Sequence, residues 1–159
     1  MIRLSDLQVA ALCSLLLLAG CSGSSEPTSR TDLEREFQSE FGIAPSSRIT
    51  QIRCRIVRVG DSWGKRMLFT LDEATLQRIV SNGFSVATTE ELSRPWGSHW
   101  RQDLNEQNPN APSWWLTPGT NQIRVYYREP SRKDFGGSYI YIWVNGNANT
   151  AYSKSAAWN

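Results

Sequence analysis

Apolar side chains fall along this 159-residue chain in three rhythms. Residues 9–19 form an apolar run of 11 positions, interrupted only by Ser14. Beyond it come stretches with a period near four, and then stretches that alternate. A period near four lines up one stripe of a helix, and a period of two lines up one face of a strand. Leu33, Phe37 and Phe41 recur every four residues, with Glu34, Glu36 and Glu40 on the other faces. Thr31-x-x-Glu34 reads as a capping box and Gly42 is placed to stop the helix, so the pattern predicts a helix over 32–41. Leu71, Leu76, Ile79 and Val80 make the apolar side of a second helix, opened by Thr70-x-x-Glu73 and closed by Gly83, with Phe84 just beyond. Thr88-x-x-Glu91 opens a brief helical turn, and residues 98–107 make a further helix with Trp100 and Leu104 inward.

Alternation predicts strands over 50–59, 65–70, 122–129 and 138–144, with shorter ones at 84–87 and 149–154. The loop at residues 60–64 and the Asn145-Gly146 pair are hairpin signals. Ile52, Cys54, Ile56, Ile123, Val125, Ile140, Ile142 and Val144 are expected to make the core face. Arg53, Arg55, Arg124, Tyr126, Arg128, Tyr139, Tyr141 and Trp143 are expected on the other. The elements predict an α+β fold: one domain over 31–159, an antiparallel sheet of about four or five strands, and two or three short helices mainly on one face.

The N-terminal run is too short to span a bilayer as a stop-transfer helix, and it ends in Leu18-Ala19-Gly20-Cys21. This tetrapeptide resembles the lipobox of bacterial lipoproteins. The resemblance covers only the first two dozen residues. It implies that residues 1–20 are a signal peptide, that Cys21 carries a lipid on its sulfur, and that cleavage before Cys21 frees an N-terminus for acylation. Ser22 in the next position implies the outer membrane, periplasmic side, of a Gram-negative envelope. The n-region departs from the pattern in having Arg3 as its only basic residue. Residues 21–30 then read as the lipidated cysteine and a Ser-rich flexible tether, with a reach of roughly 15–20 Å.

Composition narrows this further. A net charge of +2 is too small to suggest nucleic-acid binding, and none is expected. Of three cysteines, Cys13 leaves with the signal and Cys21 takes the lipid, so Cys54 stands alone as a buried strand residue without a disulfide. All seven tryptophans lie beyond the signal peptide. They serve either as core plugs or as a binding surface.

Three constellations are candidates for function. The first is the Arg and aromatic face named above, whose planar, weakly hydrated groups suit a partner. The same residues also serve if they only stabilise the sheet through cross-strand pairs, or if a helix covers them. The second is Trp114-Trp115, held between Pro112 and Pro118. One ring is expected to plug the core edge while the pair acts as a lid over the open end of the sheet, with a binding lip as the alternative. The third is His99 with Asp103, four apart on a helix, read as a surface pair because no third metal ligand or nucleophile stands at diagnostic spacing. The chain contains no Gly-rich phosphate loop, no Gly-x-Ser-x-Gly and no Cys-x-x-Cys. No cofactor or metal is expected beyond the covalent lipid on Cys21. These observations favour a non-enzymatic, membrane-anchored lipoprotein that binds a protein or envelope component near the membrane. An inhibitor, immunity or exclusion lipoprotein is one alternative. An enzyme acting on glycan or lipid is the other, and it would need a pocket with paired carboxylates or a His-centred site.

Overall fold

The computed structural model describes residues 22–88, 90, 111–115, 123–128, 138–145 and 149–157. Among these described residues nine elements follow one another: β1 (Ser22–Ser25), α1 (Arg30–Phe41), β2 (Ile52–Val59), β3 (Ser62–Thr70), α2 (Glu73–Ser81), β4 (Ser85–Val86), β5 (Ile123–Arg128), β6 (Ser138–Asn145) and β7 (Thr150–Ala157). The strands join in one seven-stranded antiparallel sheet of order β1-β2-β3-β7-β6-β5-β4. This corrects the expected α+β fold of four or five strands with two or three helices. The chain is mostly β, with two helices among the described residues. The expected helix at 98–107, with His99 and Asp103, lies outside the described residues.

The strand that side-chain patterning cannot see is β1. β1 is Ser-Gly-Ser-Ser, exposed at all four positions, and it joins the sheet through its backbone alone. It caps the β2 edge and satisfies its peptide groups. The stretch expected to be a free tether is therefore partly sheet. β4 contributes two residues at the opposite edge.

Both helices form where the periodicity placed them, but their caps sit elsewhere. The Ser29 hydroxyl, not Thr31, accepts from the Asp32 N–H, and Asp72, not Thr70, accepts from the Thr75 N–H. Thr70 instead accepts from the Thr50 backbone. Gly42 ends α1 at φ +69°, the left-handed conformation that glycine adopts without strain. The Asn82 side chain closes the same helix end by donating to the Phe41 carbonyl.

The helices pack on one face of the sheet. Phe37 and Phe41 from α1 meet Phe69 of β3, with ring centroids 4.6 to 5.2 Å apart, and Phe84 joins at 6.2 Å. Leu76 and Ile79 from α2, Ile52 and Cys54 from β2, Met67, Tyr126, Ile142, Val144 and Ala151 complete this core. Burying a large apolar side chain contributes about 1.5–3 kcal/mol, so this aromatic knot carries much of the fold. The opposite face holds a second, smaller cluster of Val125, Tyr141, Trp143 and Tyr152.

Candidate functional site

Antiparallel register fixes which side chains share a face. Arg53 stands opposite Leu68, which stands opposite Tyr152, then Trp143, then Val125. One row along, Arg55, Arg66, Lys154, Tyr141 and Tyr127 follow one another across five strands. This is the face away from the helices. It begins in cations at the β2 side and ends in aromatic rings.

Of the eight residues expected together, the structure groups five here: Arg53, Arg55, Tyr139, Tyr141 and Trp143. The other three are on the helix side. Tyr126 lies in the main core, Arg124 pairs across from Val144, and Arg128 donates to the Glu40 carbonyl and lies 4.8 Å over the Phe84 ring. The physical reason is that both faces of the sheet bury apolar side chains, so the aliphatic side of β5 had two clusters it could join. Ile123 and Val125, expected in the core, serve the second cluster, so their aliphatic character did not reveal which way the strand faced. Arg66, Lys154, Tyr127 and Tyr152 belong to this face and were missed. The parity of Arg66 and Leu68 with Arg53 and Arg55 across the β2–β3 hairpin was the signal available for Arg66.

Trp115 lies on this face. Its ring meets Trp143 at 5.9 Å and Tyr152 at 5.5 Å edge to face, and Arg66 stands 5.8 Å over it. It covers the middle of the sheet face rather than the open end assigned to a lid. Trp114 contacts Trp115 edge on and lines a cleft with Arg53, Glu26 and Pro27 at the β2 edge. Trp143 is fully buried, and burial raises the Tyr152 hydroxyl above its ordinary pKa of 10.0. Arg55 is met by Glu26 at 3.6 Å. The rings of Tyr141, Trp143 and Tyr152 are themselves buried on this face, while Arg53 is exposed and Arg55, Arg66 and Tyr127 are half-buried.

The helix side contains a polar cleft that the sequence did not disclose. Lys65 shares inward parity with Met67 and Phe69 and is 6% exposed. Its ammonium lies 2.7 Å from Glu36, 3.5 Å from Glu40 and 3.2 Å from the Ser39 hydroxyl, all on α1. Burial acts against the lysine charge, yet Glu40 and Glu36 outweigh it and raise the Lys65 pKa. Glu40 is 3% exposed, and burial outweighs Lys65 in raising its carboxyl pKa. Around this cluster a cavity of about 330 Å³ is lined by Arg58, Trp63, Arg128, Tyr139 and Ser155 among others. The Glu36 and Glu40 carboxylates are thus paired in a concave site, but one ammonium bridges them.

Cys54 is buried, and burial pushes its thiol up to about 12, so it behaves as a small apolar side chain. Among the described residues no group of three or more His, Cys, Asp or Glu side chains is placed to hold a metal ion. No helix among them is long and apolar enough to cross a membrane. Comparison with protein-family models, curated proteins and solved structures finds no match.

Proposed function

We propose that this chain is an exported, lipid-anchored module of a bacterial envelope that binds a protein or envelope component close to the membrane, without catalysis of its own. The lipobox-like Leu18-Ala19-Gly20-Cys21 supports the anchor. The binding role rests on one observation: Arg55, Arg66 and Lys154 stand side by side on three neighbouring strands and run directly into Tyr141 and Tyr127. Arg55, which also meets Glu26 at 3.6 Å, and the half-buried Arg66 and Lys154 give this row its basic character beside the aromatic rings. Negatively charged, planar or sugar-bearing groups suit such a surface.

Crosslinking and affinity capture of the full-length protein from its native membrane tests the reading. Arg53→Glu combined with Arg55→Glu is expected to abolish capture while the fold persists. Unchanged capture by that variant would remove this face as the binding surface.

A further inference from the structure

The end of the domain that would face the membrane can be read from the register of β1. Ser22 pairs with Val59 and Ser25 with Ile56, so the chain enters β1 from the β2–β3 turn end. Cys21 is one peptide bond from Ser22. A strand rises about 3.3 Å per residue, so no slack separates an anchor at Cys21 from that turn. Two large apolar side chains among the described residues are exposed, Val59 at 62% and Val86 at 57%. Val59 is the one beside the anchor strand. Its neighbour Arg58 is exposed, is the partner of Gly23 in the ladder, and pairs across the hairpin with Trp63. Val59 is on the outer side of this hairpin end, and Arg58 and the half-buried Trp63 are on its helix side at the mouth of the Lys65 cleft. An aliphatic tip, a guanidinium and an indole are side chains that settle at a bilayer surface, where apolar bodies meet phosphates. Asp61 in the turn opposes the attraction that Arg58 supplies.

We propose that the β2–β3 turn end is a membrane-docking surface, with Val59 and Trp63 at the headgroup level of an anionic bilayer and Arg58 on lipid phosphate. The domain then stands on the bilayer with its strands rising from it, instead of moving freely on a tether. This inference rests on the proposed lipid anchor at Cys21. It extends that reading by assigning the domain one orientation, in which the face carrying Arg53 and Arg55 is held side-on to the bilayer.

The test uses the full-length protein, matured in its host and reconstituted in vesicles of phosphatidylglycerol and phosphatidylethanolamine. Val59→Cys, Gln51→Cys and Val86→Cys each accept an environment-sensitive fluorophore, while buried Cys54 stays unlabelled. Gln51 immediately precedes β2, about 26 Å from Val59, and Val86 lies on the opposite edge strand. The expected result is a blue shift and quenching by brominated lipid at position 59 alone. Adding Arg58→Glu is expected to lower the docked fraction about fivefold or more, in keeping with one basic residue at an anionic surface. Equal responses at all three positions from an acylated chain would overturn the docking surface while leaving the anchor intact. Intact mass reports acylation independently, and an unacylated chain would overturn the anchor and, with it, this inference.

Discussion

The Lys65 ammonium stands 3.5 Å from the Glu40 carboxylate, and both residues are almost wholly buried between α1 and the sheet. The pair ties the last turn of α1 to the middle of β3. It sits where an all-apolar contact would otherwise be expected, at the parity shared with Met67 and Phe69. Removing one partner of such a pair leaves a buried charge without compensation. Lys65→Met is therefore expected to destabilise the fold by about 3–5 kcal/mol in urea denaturation. Adding Glu40→Gln to that variant is expected to recover part of the loss, because the stranded charge is gone. A Lys65→Met protein as stable as the wild type would show that the cluster contributes nothing.

The same cluster sets the pH dependence. Burial holds the folded Glu40 carboxyl above its ordinary 4.5, so the folded state retains a proton that the unfolded state releases. Stability is expected to fall as pH rises from 4.5 through the raised value. Lys65 is raised above 10.5 by its carboxylates despite burial, so its contribution is complete below 10.5 and is lost as pH climbs through the raised value. The cap residues Asp32 and Asp72 have carboxyls lowered from 3.8, chiefly by the Ser29 hydroxyl and the Thr75 N–H respectively. Their support is present above 3.8 and fades as pH falls below it. Unfolding free energies measured across pH should show a decline above pH 4.5 that disappears in Glu40→Gln, and an alkaline decline that disappears in Lys65→Met.

Gly42 offers a purely steric test. It has φ +69°, and a Cβ there would stand 2.3 Å from the Asn82 amide nitrogen that closes the helix. Gly42→Ala is expected to lose at least about 1–2 kcal/mol, from the left-handed backbone and the displaced cap together. Gly23→Ala, whose Cβ would meet nothing within 4 Å, is the control and should unfold with the wild type. Thermal melts of both variants decide it.

Cys54 should be silent in the folded protein. With its thiol pushed up to about 12 and its side chain 2% exposed, it presents almost no thiolate at pH 8. A thiol reagent is expected to modify it only at the rate of unfolding, and at once in denaturant. Rapid modification of the native protein would contradict its burial.

Arg53 and Arg124 look equivalent along the chain, each the polar member of an alternating strand. The register places them on opposite sides of the sheet, Arg53 with Leu68 and Arg124 with Val144. Arg53→Glu is expected to reduce partner capture, and Arg124→Glu to leave it within about twofold of wild type, as for surface changes away from a contact. Equal losses from both would mean that the outer face is not the surface in use.

The existence and type of the main elements follow from the chain alone, because period four and period two report which side chains can share a buried face. The α1 and α2 helices, the β2–β3 hairpin and β6 were legible in that way, as were the burial of Phe37, Phe41, Ile142 and Cys54. The edge strand β1 was not. Ser22–Ser25 pairs through peptide groups that every sequence carries, and only the presence of an open β2 edge selects it. The orientation of β5 was hidden for a different reason. Both faces of the sheet bury apolar side chains, so Ile123 and Tyr126 are each suited to either cluster, and pairing with β6 decides between them. Glu40 falls on the polar side of its helix pattern, and its meeting with Lys65 depends on α1 crossing β3. Composition and local pattern therefore determined the lipobox-like motif, the helices and most strands, whereas tertiary structure decided which charges are buried, which arginines share a face, and where residue 22 joins the sheet. The reason is common to all three: each depends on contacts between segments distant in sequence, and no local period records them.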